Sequence, residues 1–443
     1  MTHPFDPAGT GDPTHLVLAD AAGRRSLWPT WLRIPPGWTT DFGPASHEDC
    51  LRSIDVPLPG RDTEPARPVP QTLTAPDPMT PDPGGNTMSG TRNPIDRRAV
   101  LGAAIAAGGA LGSAGTASAA TPDRDRTRDS AYAVKSAELA QGLYQVAHST
   151  RNGVLWVTSS IGYPPVTRSR LLKVDPRSLK LLASTTPPVT DEATGALEAV
   201  YGVAVDDVHN TVWVTATLSN ALAVYSQRTG RHLATLPGVR HPRDVAVDIA
   251  RGLVWCSALE EGAIVAFDLR TYQEKKRVTV EGAWPAGLAV DPYTGNVYAA
   301  DLAKSRLIEV AAGSDRPRIL PAGQGSIDVA LAADGRTAYT ANQAAGSVSV
   351  VDLASGEVKN EIKTGAGTLA VATDICTGRV FAANKDAGTT TVLDPRAGTV
   401  LADLATGANT DHVVLAHGTA YVVDKAAAGP ETIDSIHRIS PPR

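Results

Sequence analysis

The residues best suited to acid–base chemistry lie in one short segment and at one later position. The segment Arg240-His241-Pro242-Arg243-Asp244 is the densest cluster of titratable side chains, and His412 follows Asp411 farther along the chain. A histidine beside an arginine and an aspartate can support general-base or lyase-type catalysis near neutral pH. We therefore take His241, Arg243 and His412 as catalytic candidates.

A second interpretation gives these side chains a structural or binding role. Pro242 then fixes a turn, and His241 is simply solvated. Arg243 pairs with Asp244 or with a neighbouring unit. Two aspartates are too few for a calcium site, which needs several converging oxygen ligands, so we expect no metal and no cofactor. The candidate binding residues for an unknown ligand are Tyr201, Arg240, Trp284, Asp328 and Asp411.

The elements that must position these residues belong to a repeat. Its members share one large aromatic residue, and successive aromatics are 57, 42, 43, 41, 42 and 40 residues apart. A constant period near 42 residues indicates one supersecondary unit copied many times. The aromatics are Trp156, Trp213, Trp255, Tyr298, Tyr339, Phe381 and Tyr421.

Each repeat has the pattern of four short strands. An apolar run such as Val203-Ala204-Val205-Asp206 is followed by a turn, the aromatic strand and a third strand ending in Asp. Short β-branched runs separated by turn residues predict strands. Four strands in about 42 residues predict an all-β fold, a seven-bladed β-propeller of four-stranded blades. We expect the aromatic rings to fill the seams between blades, and small residues such as Ala204, Ala246, Ala289 and Ala330 to lie nearest the axis.

The last repeat is about one strand short, near residues 436–439. The segment 131–137 precedes the first blade and is predicted to supply the missing outer strand, because this would remove an exposed sheet edge. Two longer connections, Ser160 to Ser169 and Thr186 to Glu198, are predicted to project from one face and cap one side of the channel mouth.

The aromatic strands also carry a family resemblance. The runs beginning at Tyr298, Tyr339, Phe381 and Tyr421 end in Asn or Asp and resemble the Tyr-Val-Thr-Asn motif of YVTN/YncE-type propeller proteins. The resemblance covers residues 138–443. It implies a binding or scaffold module, which is the function we favour, or alternatively a lactonase- or lyase-type enzyme.

The first residues do not share the repeat. The ordered combination of Ser26-Leu27-Trp28-Pro29, Pro36-Gly37-Trp38 and Cys50-Leu51 resembles an MbtH-like protein. The resemblance implies a small α+β domain over residues 1–58 that binds the adenylation domain of a nonribosomal peptide synthetase through residues 3–55. It places Ser26, Leu27, Trp28 and Trp38 at that contact, although both tryptophans would also suit the core of a small domain.

Two segments separate the domains. Nine prolines lie between Val56 and Gly90, which predicts a disordered Pro-rich linker over residues 59–92. Arg97-Arg98 followed by an uncharged Ala- and Gly-rich stretch resembles a twin-arginine signal over residues 93–120, with cleavage near Ala119. A retained membrane anchor is the alternative, since the uncharged run is 22 residues long. Residues 121–137 are predicted to be a linker and the closing strand.

These two resemblances imply different compartments. The signal would pass the propeller, at 138–443, through the twin-arginine translocase to the outside, whereas an adenylation-domain partner acts in the cytoplasm. A cleaved fusion, a start at Met88 instead of Met1, and an intact cytoplasmic synthetase accessory all remain open. The net charge of −5 with few Lys/Arg clusters argues against nucleic-acid binding. Three cysteines do not make a disulfide framework, and we expect free thiols.

Overall fold

The structure is a computed structural model that describes residues 15–20, 25–30, 34, 37–45, 49, 50, 53, 132–162, 164–425 and 432–442. The chain divides into two compact units, Met1–Pro94 and Ile95–Arg443. The predicted Pro-rich linker at 59–92 and the predicted signal at 93–120 lie outside the described residues.

The first unit contains a three-stranded antiparallel sheet. Its strands are β1 (His15–Asp20), β2 (Arg25–Pro29) and β3 (Trp38–Ala45), with β1 in the middle. In the pairing, Trp28 of β2 lies opposite Leu16, and Trp38 of β3 lies opposite Asp20. Residues 49, 50 and 53 are helical, and Cys50 is fully buried.

The second unit contains seven four-stranded antiparallel sheets, as the repeat predicts. In each of the first six, consecutive strands run outward from the axis. Strand β4 (Ala133–Ala140) comes before them and belongs to the seventh sheet. The first three blades are β5 (Leu143–Ser149), β6 (Val154–Ile161), β7 (Arg168–Val174) and β8 (Leu181–Thr185); β11 (Val203–Asp206), β12 (Thr211–Ala216), β13 (Ala221–Ser226) and β14 (His232–Pro237); and β15 (Pro242–Asp248), β16 (Leu253–Ala258), β17 (Ala263–Asp268) and β18 (Glu274–Thr279).

Between blades one and two lies the small hairpin of β9 (Val189–Asp191) and β10 (Ala196–Leu197). Single-turn 3₁₀ helices cover Thr217–Ser219, Ile249–Arg251 and Leu259–Glu261. The remaining blades are β19 (Pro285–Val290), β20 (Val297–Asp301), β21 (Arg306–Val310) and β22 (Arg318–Pro321); β23 (Ser326–Leu331), β24 (Thr337–Asn342), β25 (Ser347–Asp352) and β26 (Glu357–Lys363); β27 (Thr368–Thr373), β28 (Val380–Asn384), β29 (Thr389–Asp394) and β30 (Thr399–Ala405); and β31 (Thr410–Ala416), β32 (Thr419–Asp424) and β33 (Asp434–Ser440).

The ring closes between the two ends of the second unit. Strand β4 pairs antiparallel with β33 and forms the outer strand of blade seven, where the sequence placed residues 131–137. The innermost strands also contact one another around the axis, and β31 of blade seven touches β5 of blade one. Pairing β4 with β33 covers the edge that β33 would otherwise expose.

The prediction that aromatic rings fill the seams is confirmed. Trp213 of blade two is fully buried against Val254 and Phe267 of blade three. Tyr421 of blade seven packs on Leu172 of blade one, so the last seam has the same construction as the others. The other rings are also at most 5 % exposed and occupy the intervening seams: Trp156, Trp255, Tyr298, Tyr339 and Phe381.

A small residue on the innermost strand pairs with each ring. Ala204 lies opposite Trp213, and alanine holds this position in six of the seven blades. The seventh blade has Val414 opposite Tyr421. A short side chain at this register leaves room for the ring of the second strand, whose burial contributes most of the apolar area of a seam. The other pairs are Ala147–Trp156, Ala246–Trp255, Ala289–Tyr298, Ala330–Tyr339 and Ala372–Phe381.

Aspartates end the third strands of blades three, five and six and close the turns that follow. The Asp268 carboxylate accepts hydrogen bonds from the backbone N–H groups of Arg270 and Thr271, at 2.9 and 2.8 Å. Asp394 accepts in the same way from the two residues that follow Pro395. Such side-chain-to-backbone bonds are why Asp marks turns in the sequence.

Candidate functional site

The innermost strands share an irregularity at their first residues. The pairing register shifts between Leu143 and Val146 in blade one, and the same kind of bulge recurs in blades three to seven. A bulge lets two consecutive side chains approach the same space. These residues line a small cavity of about 50 Å³ on the axis: Tyr144, Gln145, Tyr201, Gly202, Arg243, Asp244, Gly287, Ile327, Asp328, Leu369, Ala370, Asp411 and His412.

On each innermost strand, one residue pairs with the repeat aromatic of the second strand. The residues two positions before it, one from each blade, form a ring around the axis. We call it the inner ring, and long and short side chains alternate around it. At Gly287 an added Cβ would lie 2.1 Å from Asp328 Oδ1, so the long neighbour occupies the space that the glycine leaves. Because seven is odd, two long members, His412 and Gln145, are adjacent. In blade order the inner ring is Gln145, Gly202, Asp244, Gly287, Asp328, Ala370 and His412.

The long members of the inner ring hold the blades together. Asp244 Oδ2 accepts the backbone N–H of Leu288 in the next blade at 2.8 Å. Asp328 Oδ2 accepts that of Val371 at 2.9 Å. Gln145 and His412 make the equivalent bonds to Val203 and Val146, at 2.9 and 3.4 Å. The inner ring therefore satisfies backbone donors of neighbouring strands, which is a structural role.

Burial sets the charge of the inner ring. It raises the pKa of the Asp328 carboxyl to about 7, and nearby Asp244 adds to that shift. Burial lowers the pKa of His412 to about 4, with the positive charge of Arg243 acting in the same direction. A neutral imidazole agrees with the role of His412 Nδ1 as an acceptor from Val146. At neutral pH, His412 is therefore uncharged.

A second ring lies one residue earlier on each strand, nearer the face on which the strands begin. We call it the mouth ring. Blades seven, one, two and three contribute polar or aromatic side chains, whereas blades four, five and six contribute apolar ones. The rings of Tyr144 and Tyr201 meet edge to face with centroids 4.8 Å apart. In blade order from blade one, the mouth ring is Tyr144, Tyr201, Arg243, Ala286, Ile327, Leu369 and Asp411.

Two lysines lie near the mouth at the ends of second strands, one in blade six and one in blade seven. Lys425 follows β32, and its Nζ lies 3.6 Å from the centroid of the Tyr144 ring, a cation–π contact. Lys385 follows β28, and burial lowers its pKa. Burial raises the pKa of Asp411, while Lys425, Arg243 and Lys385 oppose that rise through their charges. Three cations, from blades three, six and seven, thus act on one buried carboxyl at the mouth.

The structure brings together five of the eight predicted rim residues. Tyr201, Arg243, Asp328, Asp411 and His412 all line the axial cavity. They come from blades two, three, five and seven, so the circular fold joins positions that are far apart in the chain.

The other three predicted residues lie elsewhere. His241 is 6 % exposed, and its Nδ1 lies 3.4 Å from Glu260 Oε1, so the expectation of a solvated side chain is wrong. Arg240 pairs with the same Glu260 at 3.2 Å. Trp284 is half-buried, and its backbone N–H donates to Asp301. The expected pairing of Arg243 with Asp244 is also absent from the described residues, because Asp244 accepts from Gln145 and Leu288 instead.

Sequence reasoning missed several members of the mouth. Tyr144 and Gln145 have no cluster of titratable residues beside them like the one at 240–244, so the sequence does not single them out. Lys385 and Lys425 were missed because they follow the second strands instead of preceding the first. The sequence does contain a signal for these residues. The position two residues before the partner of each repeat aromatic belongs to the inner ring, and the position three residues before it belongs to the mouth ring.

The longer connections of blade one contact each other beside the site. The Leu197 N–H of the β9–β10 hairpin donates to the Val166 carbonyl at 2.8 Å, and Ser160 Oγ donates to the Val200 carbonyl at 2.8 Å. Neither segment is among the residues that line the axial cavity. Within the described ranges, we find no cluster of three or more potential metal-ligating side chains and no helix that would span a bilayer.

The fold and the site together define a class: a seven-bladed β-propeller with a polar channel mouth, preceded by a small β-sheet unit. Residues 1–57 match the family of MbtH-like proteins. A search of curated proteins finds no match for this chain.

Solved structures similar to the propeller include lyases. A streptogramin B lyase has a TM-score of 0.56 at 12 % identity, over 70 % of this chain and 98 % of that protein. A catalytically inactive virginiamycin B lyase from Staphylococcus aureus with quinupristin has a TM-score of 0.57 at 11 % identity, over 70 % and 99 %. The selenomethionine form of that lyase gives the same values. At such identities the likeness shows the fold alone.

Proposed function

We propose that this chain joins an adenylation-domain partner to a propeller that binds a ligand at its channel mouth. The first part rests on the family match of residues 1–57. The second rests on one observation: the long inner-ring residues are used in bonds between blades, whereas the Arg243 and Asp411 side chains of the mouth ring make no hydrogen bond or ion pair among the described residues. Asp244, Asp328 and His412 are therefore poorly placed for proton transfer, and the mouth remains for recognition.

The contact with an adenylation domain would involve Ser26, Leu27 and Trp28 on β2 and Trp38 at the start of β3. Both strands belong to one small sheet, which would present the two segments together. Aromatic anchors commonly carry most of the free energy of such contacts. Co-purification of the full chain with a nonribosomal adenylation domain tests this. Trp28→Ala and Trp38→Ala should abolish capture, whereas Phe42→Ala, an exposed aromatic on β3, should retain it. Equal capture by all variants would contradict the assignment.

Ligand binding at the mouth is tested by a thermal-shift screen of small molecules on the full chain. A ligand that binds the folded state raises Tm in a concentration-dependent way. Tyr201→Ala should remove the shift because Tyr201 lines the axial cavity. Tyr293→Ala is the matched control, since Tyr293 is 80 % exposed in a blade-four turn. A shift retained in Tyr201→Ala would place the ligand elsewhere.

A lyase is the second candidate, favoured by the similarity of the propeller to streptogramin B and virginiamycin B lyases. Its catalytic groups would be drawn from His241, Arg243 and His412. Incubation with quinupristin followed by liquid chromatography and tandem mass spectrometry tests it directly. A product with a changed retention time or fragmentation pattern, even at unchanged mass, that disappears in His412→Asn or His241→Asn would support catalysis over simple binding. Unaltered quinupristin with measurable binding would support the binding module.

We also propose that the twin-arginine-like segment exports the propeller after cleavage near Ala119. Membrane retention, or an intact cytoplasmic accessory of a synthetase, are the alternatives. Amino-terminal sequencing of the protein from its native cells separates them. A first residue near Ala120 supports export and cleavage, whereas an intact amino terminus in the cytoplasmic fraction supports the accessory role.

A further inference from the structure

We infer that the channel mouth binds an organic anion, a carboxylate or phosphate head group carried on an apolar body. The head would face Arg243, Lys385 and Lys425, and the body would lie over Ile327 and Leu369. This inference rests on the proposed ligand-binding function and specifies the ligand's chemistry.

The first support is a contrast among the cations of the propeller. Half-buried arginines outside the mouth have polar partners: Arg306 pairs with Asp301 at 2.7 Å, and Arg379 donates to the Tyr132 hydroxyl at 2.7 Å. The Arg243 guanidinium and the Lys385 ammonium have no ion pair within 4 Å among the described residues. Both are half-buried, where a charge without a close partner is costly, and the buried Asp411 acts on them only from beyond ion-pair distance. Such charges are better explained by a ligand than by the fold.

The second support is the weak negative charge beneath them. The carboxylates of Asp244 and Asp328 accept backbone N–H groups of neighbouring blades instead of ion-pairing. Burial raises the pKa of both, and of Asp411. Protonation of Asp328, whose pKa is about 7, therefore removes part of the negative charge near neutral pH. The field at the mouth favours an anion.

The third support is the division of the mouth ring into two halves. Arg243, Tyr144 and Tyr201 lie in three consecutive blades, and the apolar Ile327 and Leu369 lie in blades five and six across the axis. The axial cavity of about 50 Å³ has room for one or two water-sized groups. The head group would therefore lie at the opening of this cavity beside Arg243, and the body would remain in the mouth against the apolar side chains.

Calorimetric titration of the full chain with octanoate, octyl phosphate and octanamide tests the inference. Octanoate or octyl phosphate should bind saturably, and neutral octanamide should bind about tenfold more weakly or worse, the equivalent of one charge-assisted hydrogen bond. Raising the salt concentration should weaken the binding of the anions but not that of octanamide. Comparing octanoate with octyl phosphate tells which head group the site prefers.

Two arginines of blade three make a matched pair of variants. Arg243→Gln should weaken anion binding about tenfold or more, because it removes the half-buried charge. Arg240→Gln, which alters an exposed arginine three residues away, should change affinity less than about twofold. Arg243→Lys should retain part of the affinity, and the circular dichroism and Tm of each variant show that it folds.

Three results would overturn the inference. These are equal affinity for octanamide, equal losses in the two glutamine variants, and no binding of either anion at millimolar concentration. The broader proposal can survive the failure of this inference. If octanamide binds as tightly as octanoate and Tyr201→Ala abolishes that binding, the mouth is a ligand site but not an anion site.

Discussion

His437 Nδ1 lies 2.8 Å from Ser136 Oγ, although the two residues are 301 positions apart in the chain. The contact joins β33 to β4, the pairing that completes blade seven. His437 is 6 % exposed, and its Nε2 has no hydrogen-bond partner among the described atoms. A titratable group is therefore buried in the seam that closes the ring.

This burial predicts a pH dependence. It lowers the pKa of His437 to about 4, from 6.5 when unperturbed. The unfolded chain then binds more protons than the folded chain between these values. The resulting stability is fully present above pH 6.5 and is lost as the pH falls toward 4. Between pH 7.5 and pH 5 the loss from this group is about 2 kcal/mol. Urea unfolding at both pH values should show a smaller acid-induced loss in His437→Gln than in the wild type.

Ser136→Ala is the control for that experiment. It removes the partner but keeps the imidazole, so it should cost about 1 kcal/mol at both pH values and leave the pH-dependent difference in place. Asp328, whose pKa is about 7, shifts stability in the opposite direction. The comparison is therefore made between variants and not from the wild type alone. Equal acid-induced losses in the wild type and His437→Gln would contradict the prediction.

The alternation of the inner ring predicts that Gly287 does not tolerate a methyl group. A Cβ there would lie 2.7 Å from the Cα of Asp328, a backbone atom that has little freedom to move. We expect Gly287→Ala to destabilise the propeller by about 1–3 kcal/mol. Gly313→Ala, in the same blade, adds a methyl group with no atom within 4 Å and should be nearly neutral. Equilibrium unfolding in urea compares the two, and similar midpoints would show that the axis is not tightly packed.

The seam aromatics should carry much of the stability. Trp213 is fully buried between blades two and three. Trp213→Ala should cost about 3–5 kcal/mol through lost burial and the cavity that remains. Tyr293→Ala removes an aromatic that is 80 % exposed and should change the free energy of unfolding by less than about 0.5 kcal/mol. Calorimetry of both variants checks this. A small effect of Trp213→Ala would contradict the role of its ring in filling the seam between blades two and three.

The three cysteines should differ in reactivity. All are free, Cys376 is exposed, and Cys50 and Cys256 are buried. Burial raises the pKa of the Cys256 thiol, which reduces its thiolate fraction further. Native protein should therefore react with a thiol reagent at one site, and denatured protein at three. Cys376→Ser should abolish the native reaction; rapid native labelling of Cys256 would show that blade three opens readily.

Much of the propeller was predictable because its information is local and repeated. Each aromatic strand carries its own β-branched residues, and the third strands of blades three, five and six end in an Asp that closes its own turn, as Asp268 does. The circular closure was also predictable in outline, since an exposed edge at β33 calls for a partner strand. The MbtH-like segment was identifiable from its ordered tryptophan motifs and matches its family over residues 1–57.

The site was only partly predictable, because its members are neighbours through the ring and not through the chain. Arg243 and Asp411 are recognisable as rim residues, but nothing local distinguishes them from Arg240, which turns away to Glu260. Lys425 reaches Tyr144 only because blade seven meets blade one. The YncE-type resemblance, the signal and the roles of the site residues remain predictions.

The sequence by itself determined the repeating strands, their number and the aromatic that each contributes to a seam, since strand and turn preferences act over a few residues. Only the tertiary structure decided which side chains meet at the axis and which of them are already used by the fold. The reason is physical: closing seven sheets in a circle fixes distances between residues hundreds of positions apart, as for Ser136 and His437, and those distances set burial, charge and hydrogen bonding together.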